Sequence, residues 1–386
     1  MIQRLTSHTP RPGTSRAIVF GGLVLLTVAL SACERRPPPP WHPEHVPVPS
    51  VPPENALTPQ KVELGRHLFY DERLSVNGET SCGTCHVQRL AFTDGRPRAI
   101  GATGEVHTRN AMSLANVAYS SRLTWSHPHL NSLEEQARMA LFSERPTEMG
   151  LGGHDTEMLA RLRSDPETVT RFREAFPDDD DPVQIRRILD AIASFERMLI
   201  SGDAPYDRYV QGDETALTPG AIRGMDLFFS ERLACFHCHG GFNFSDSVDH
   251  DRTPRTGLGF HNTGLYNVDG RGGYPAEDTG LHRITAKPDH MGQFKAPTLR
   301  NVAVTSPYMH DGSITTLEEV IDHYSGGGRT LTTGPNAGRG SDSPLRSEFI
   351  VGFVLTKEEK ADLLDFLESL TDVRFLSDRR FSAPRP

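Results

Sequence analysis

Cys82-Gly83-Thr84-Cys85-His86 and Cys235-Phe236-His237-Cys238-His239 are two copies of one pentapeptide, CxxCH, in a chain of 386 residues. The pattern is the attachment signature of a c-type haem. Two thiols at this spacing add across the two vinyl groups, and the histidine that follows is thereby placed to bind the iron from one face. CxxC pairs also close disulfides or share a zinc ion, but a His directly after the second Cys, both times, points to haem. Two covalent haems on one chain mean electron transfer or peroxide chemistry.

The flanks of the two motifs repeat as well. Leu57-Thr58-Pro59 leads through Leu68-Phe69-Tyr70-Asp71-Glu72-Arg73-Leu74 to the first motif, and Leu217-Thr218-Pro219 leads through Leu227-Phe228-Phe229-Ser230-Glu231-Arg232-Leu233 to the second, at an offset of 159–160 residues. Thr as N-cap followed by Pro at the first helical position predicts a helix start. Each haem motif is therefore expected to follow a short helix whose apolar face packs on the porphyrin. The resulting fold class is mostly α, with two tandem cytochrome c-like haem domains, 58–211 and 212–386, and long loops. Asp181-Pro182 is expected to open a long helix, with Ile185, Ile188, Leu189, Ile192, Phe195 and Leu199 forming a core stripe. Ser132-Leu133-Glu134-Glu135 and Thr356-Lys357-Glu358-Glu359 have capping-box form, the second starting a helix that ends near Leu370. From Gly240 to Pro297 the chain is rich in Gly, Asp, Asn and Pro without sustained period, which predicts loops around the second haem.

Arg4, Arg11 and Arg16 precede an apolar run, Ala17 to Leu30, that is shorter than the roughly 20 residues a membrane helix needs. It reads as a signal-peptide core. Leu30-Ser31-Ala32-Cys33 resembles the bacterial lipoprotein box, in which Cys33 is lipidated; the alternative is an ordinary cleavage near Ala32. The expectation is a lipoprotein signal peptide over 1–32, a Pro-rich tether over 33–57 and a periplasmic protein lipid-anchored to a bacterial membrane. Glu34 after Cys33 suggests the outer one. Attachment of c-type haem occurs in that same exported compartment. Removal of residues 1–32, which hold three Arg and no acidic residue, leaves 354 residues and moves the formal charge from −9 to −12. That balance argues against nucleic acid and favours a basic docking partner.

Five further stretches carry a family likeness: Thr108-Arg109-Asn110, Leu114-Ala115-Asn116-Val117, Ser132-Leu133-Glu134-Glu135-Gln136, Phe294-Lys295-Ala296-Pro297-Thr298-Leu299-Arg300-Asn301-Val302, and Pro307-Tyr308-Met309-His310-Asp311-Gly312. With them the chain resembles the bacterial di-haem cytochrome c peroxidase and MauG superfamily from about Thr58 to Leu370. The resemblance implies that the second iron, bound by His239, has its sixth ligand on the helix Thr316-Leu317-Glu318-Glu319-Val320-Ile321-Asp322-His323-Tyr324. The peroxidases carry Met where this chain has Tyr324, and MauG-like enzymes carry Tyr. Neighbouring His323 is the rival ligand, but successive helical residues point about 100° apart, so only one of the two faces the iron.

The first iron, bound by His86, is implied as the peroxide site. Gln136 would hydrogen-bond the peroxide, and Glu148 would move its proton. The segment between them is two residues longer than the family's usual one, which makes Glu144 a rival carboxylate. His107 lies near the position of the distal histidine that blocks this haem in resting peroxidases, but out of register. Trp125, the only tryptophan outside the tether, matches a family residue that relays electrons between the haems. Asn110 and the backbone oxygens of Thr305 and Pro307 match a calcium site.

The implied function is a MauG-like oxidase, nearest the MbnH branch by Ser113-Leu114-Ala115-Asn116-Val117-Ala118-Tyr119 and Leu123-Thr124-Trp125. Hydrogen peroxide would generate a high-valent di-haem state, which then oxidises a tryptophan of a copper-binding periplasmic partner. The alternatives are a cytochrome c peroxidase fed by a small cytochrome or cupredoxin, and a membrane-tethered electron carrier with both irons six-coordinate.

Overall fold

Thr58 accepts the Lys61 amide at 3.2 Å and so caps the helix Pro59–Phe69; Thr218 accepts that of Ala221 at 3.0 Å and caps Pro219–Phe228. Both expected starts are present. The computed structural model describes residues 42–250 and 259–385, and within them the fold is mostly α, with twelve α-helices and two two-stranded ladders of two residues per strand. The expected signal peptide, the lipidated Cys33 and the first part of the tether lie outside the described residues. These described residues belong to one compact unit.

Each half is organised by one helix crossing, and the two crossings are alike. Pro59–Phe69 packs on Ile185–Glu196, and Pro219–Phe228 packs on Lys357–Glu368. At both, a glycine faces a carbonyl of the partner helix. A Cβ on Gly65 would stand 1.9 Å from Ala191 O and 2.9 Å from Phe195 Cβ; one on Gly224 would stand 1.9 Å from Asp362 O and 2.9 Å from Phe366 Cβ. No side chain larger than hydrogen fits either contact, so the helices meet backbone to backbone. Leu64, Leu68, Ile188, Leu189 and Ile192 fill the first core, and Phe228, Ile321, Leu363, Phe366 and Leu367 the second.

Three expectations are corrected. The helix after Asp181-Pro182 spans Ile185–Glu196, so Leu199 is buried beyond its end rather than on it. At Ser132 only half of the capping box forms. Its hydroxyl accepts the Glu135 amide and donates to Glu134, which also pairs bidentately with Arg197 (2.8 and 3.0 Å), and the Glu135 carboxylate makes no return bond to the Ser132 amide. The described part of the Pro-rich tether, 42–57, lies on the body. Val46 and Asn55 are buried, Tyr119 donates to Pro47 O at 2.6 Å, and Asn55 donates to Glu134 at 2.7 Å and to Asp190 O at 2.8 Å. Proline stiffness did not keep this segment off the surface, because its buried side chains and carbonyls find partners there.

Candidate haem sites

In both motifs the cysteines sit at a single helical turn and the histidine closes it. His86 donates from Nδ1 to Phe92 O at 2.7 Å, and His239 donates from Nδ1 to Phe244 O at 3.1 Å. Both acceptor residues have left-handed backbone, φ 62° at Phe92 and φ 49° at Phe244, a conformation rare for a bulky residue. The twist aims the carbonyl at the ring. With Nδ1 occupied, Nε2 is left free on each imidazole, the arrangement in which an outer hydrogen bond orients a metal-binding histidine. Burial lowers the pKa of both rings, which keeps them neutral and able to bind a metal.

All four cysteines of the motifs are free thiols. Burial raises Cys235 to about 12 and Cys85 to about 11, and raises Cys82 further. Their surroundings are apolar: Cys82 packs against the cluster that holds Phe69, Phe92 and Phe195. Among the described residues no three His, Cys, Asp or Glu side chains converge to hold a metal ion, so the shared zinc site has no support. Paired thiols on one edge, a histidine with free Nε2 and apolar walls fit a covalent porphyrin at each motif.

Around the second motif lies a cavity of about 230 Å³. Cys235, Cys238, His239 and Tyr324 all border it, as do Phe228, Leu299 and Leu363. Tyr324 is on the helix Leu317–Ser325, closed at its start by a full capping box between Thr316 and Glu319. His323 does not border the cavity. It is buried on another face of the helix, with neither ring nitrogen partnered among the described residues, and burial lowers it to about 4. The 100° step between neighbours therefore resolves in favour of Tyr324 as the residue facing the motif. Burial raises the phenol pKa, so only a bound cation would make it a phenolate.

The 240–297 segment supplies much of the cavity's other side, through Ser245, His261, Leu265, Tyr274, Phe294 and Lys295. Trp125 borders the same cavity. Its Nε1–H donates to Asn110 O at 2.9 Å, and its own carbonyl accepts Lys295 N at 2.7 Å. Asn110, Thr305 and Pro307 line it too, a neutral set of oxygens of the kind a hard cation takes. The structure thus brings Trp125, Tyr324, the second motif and the expected calcium residues to one place.

The residues expected over the first motif form a second group. Glu148 is half-buried, desolvation raises its carboxyl, and its charge acts on both Cys82 and Cys85. Glu144 is exposed and has no such coupling. His107 Nε2 donates to Thr147 O at 3.0 Å, beside Glu148. Gln136 is half-buried on the helix Leu133–Phe142.

Sequence reading missed several charged groups. Arg109 of the quoted TRN stretch forms a bidentate pair with Asp278 (2.6 and 2.8 Å), and Arg300 of the LRN stretch forms a buried one with Asp207 (2.8 and 2.9 Å). His261 donates to Asp246 at 2.6 Å and is raised to about 10, the carboxylate outweighing burial. Glu196, at the end of its helix, has a buried unpartnered Oε2 and is raised by burial to about 8. Lone acidic residues in a helical stripe give no signal of burial in a sequence.

Comparison with known proteins bears on the same residues. Residues 59–215 match the family model described as di-haem cytochrome c peroxidase. The methylamine utilization protein MauG of Methylorubrum extorquens is 35% identical over 342 residues, which cover 89% of this chain and 84% of that protein. A cytochrome-c peroxidase of Pseudomonas sp. (strain SCT) is also 35% identical, over 349 residues, covering 86% of each. Among solved structures, a MauG-like protein associated with microbial copper homeostasis is 49% identical with a TM-score of 0.87, covering 89% of this chain and 98% of that one.

Proposed function

The chain belongs to the di-haem cytochrome c peroxidase family and is a haem-dependent enzyme acting on peroxide; from that premise we propose that it is a MauG-like oxidase that draws electrons from a tryptophan of a partner protein. The observation that carries this reading is a phenol, Tyr324, bordering the cavity of His239 and Cys238. A phenolate is a hard anionic donor that favours ferric and higher iron, whereas a thioether favours ferrous iron. A His/Tyr site is suited to holding an oxidising equivalent rather than waiting as a reductant.

Two covalent haems c supply the redox chemistry. The protein's part is positional and acid–base. His86 and His239 are fixed by the Phe92 and Phe244 carbonyls. Glu148 would accept the proton of the inner peroxide oxygen and return it to the outer one, so that water leaves. Gln136 would donate to the inner oxygen. Trp125 would pass electrons between residues 58–211, the peroxide-reacting domain, and 212–386, the electron-transfer domain. Asn110, Thr305 and Pro307 would hold a calcium ion between them. Export to the periplasm with Cys33 as lipid anchor completes the reading. The 49% likeness to a MauG-like protein associated with microbial copper homeostasis favours a copper-binding partner.

The second reading is a peroxidase fed by a small cytochrome or cupredoxin, and the equal identity to a cytochrome-c peroxidase favours it. Stoichiometric peroxide added to the fully ferric protein separates the two. Rapid loss of the ferric bands with a new near-infrared feature supports the oxidase. Inertness until one electron is supplied supports the cytochrome-fed peroxidase and overturns the first reading.

A further inference from the structure

Lys295 is the last residue of the strand Phe294–Lys295, 6% exposed, and it borders the cavity of the second CxxCH motif. Its ammonium donates to one carbonyl, Arg122 O, at 2.9 Å. An ammonium offers three donors, and among the described residues no carboxylate lies within ion-pair distance. The nearest acidic group whose field it feels, Asp246, is already bound to His261 at 2.6 Å. Burying a cation without an anion costs several kcal/mol, and natural sites pair it. Burial lowers Lys295 to about 8, with Asp246 opposing only in part. The side chain of Arg122, whose backbone carbonyl the ammonium meets, has a buried Nε with no partner among the described residues. The Lys295 ammonium thus stands at the cavity with one carbonyl for a partner, since Asp246 keeps its Oδ2 on His261 and its Oδ1, though unpartnered, is not within ion-pair distance of the ammonium.

The missing anion has an obvious chemical class, since a haem carries two propionate carboxylates that the attachment motif does not hold. We propose that the Lys295 ammonium pairs with a propionate of the second haem and thereby raises that haem's reduction potential. The pairing rests on haem occupying this cavity and not on which substrate the enzyme oxidises. Lys295 is a positioning residue. The same residue donates its amide to Trp125 O, so the strand that seats the propionate also seats the indole.

The test is a spectroelectrochemical titration of the holoprotein with Lys295→Met and Lys295→Arg, read alongside the propionate bending bands in resonance Raman spectra. K295M removes a positive charge beside the haem, which favours its oxidised form. The expected result is a tenfold or larger change in the second haem's reduction equilibrium, about 59 mV towards negative potential for one electron, with shifted propionate bands and both haems retained. K295R is expected to behave as the parent protein. Unmoved potential and bands in K295M, or movement confined to the first haem, overturns the assignment. If K295M does not take up its second haem, K295R decides: parental bands and potential support the pairing, and shifted ones overturn it.

Discussion

The two haem cradles agree behind the iron and part company in front of it. Behind it, each has a histidine whose Nδ1 donates to a phenylalanine carbonyl on left-handed backbone, and each rests on a helix pair welded at a glycine. Beyond that shared part, one has a half-buried carboxyl whose charge acts on its cysteines, and the other a half-buried phenol bordering a largely apolar cavity. Attachment chemistry is the same for both haems and constrains both halves alike. The open face is where roles separate: a carboxyl suits proton transfer to a small substrate, and a phenol suits holding charge.

The sharpest way to break this comparison is at the open faces. Glu148→Gln is expected to slow the reaction of peroxide with the ferric protein by roughly 10²–10⁴-fold, with both haem spectra intact in stopped-flow records. Glu144→Gln, exposed, is expected to stay within about twofold. Equal losses in both would end the assignment of Glu148. Tyr324→Met is expected to lower the rate of the same reaction by about 10²-fold and to move the second haem towards ferrous-favouring potentials. Unchanged spectra in that variant would remove Tyr324 from the iron.

The shared scaffold is tested by Gly65→Ala and Gly224→Ala. Each forces a methyl against a carbonyl, and overpacking of this kind costs about 1–3 kcal/mol. Similar losses in denaturant titrations are expected, and a strongly unequal pair would mean that the two crossings are not equivalent. A pH-dependent effect concerns Glu196. Its folded pKa of about 8 lies above its ordinary value of 4.5, so between these pH values the native state binds more protons than the unfolded one. Stability therefore falls as pH rises from about 4.5 to 8 and levels off above. Glu196→Gln is expected to flatten this part of the melting-temperature profile, and a profile identical to the parent's would show that Glu196 does not titrate there.

Legibility followed the range of the interaction. The CxxCH motifs and the Thr-Pro helix starts rest on spacings within one or two helical turns, and those were visible as written, whereas helical spacing alone left Tyr324 and His323 as rivals. The repeat offset announced two related halves, but not that Gly65 and Gly224 are where each half closes. A glycine three residues before Leu68-Phe69-Tyr70 carries no mark of the carbonyl it will meet some 126 residues later. The same holds for Lys295 and Asp246, whose meaning depends on who else is near: Asp246 is taken by His261, and Lys295 is left with a carbonyl. Proline content misled outright at 42–57, since stiffness describes a chain in solvent and says nothing about a surface offering Tyr119, Glu134 and Gly202 as partners.

Trp125 gives its indole proton to a backbone carbonyl, that of Asn110, rather than to a carboxylate or an imidazole. A carbonyl is no base, so an indole that loses an electron at this position has nowhere to send its proton. The hole stays as a radical cation, which is refilled in one step without a proton having to find its way back. On the proposed reading, passage through Trp125 is reversible and leaves no modified side chain behind, and the enzyme is spared the oxidative change proposed for its substrate.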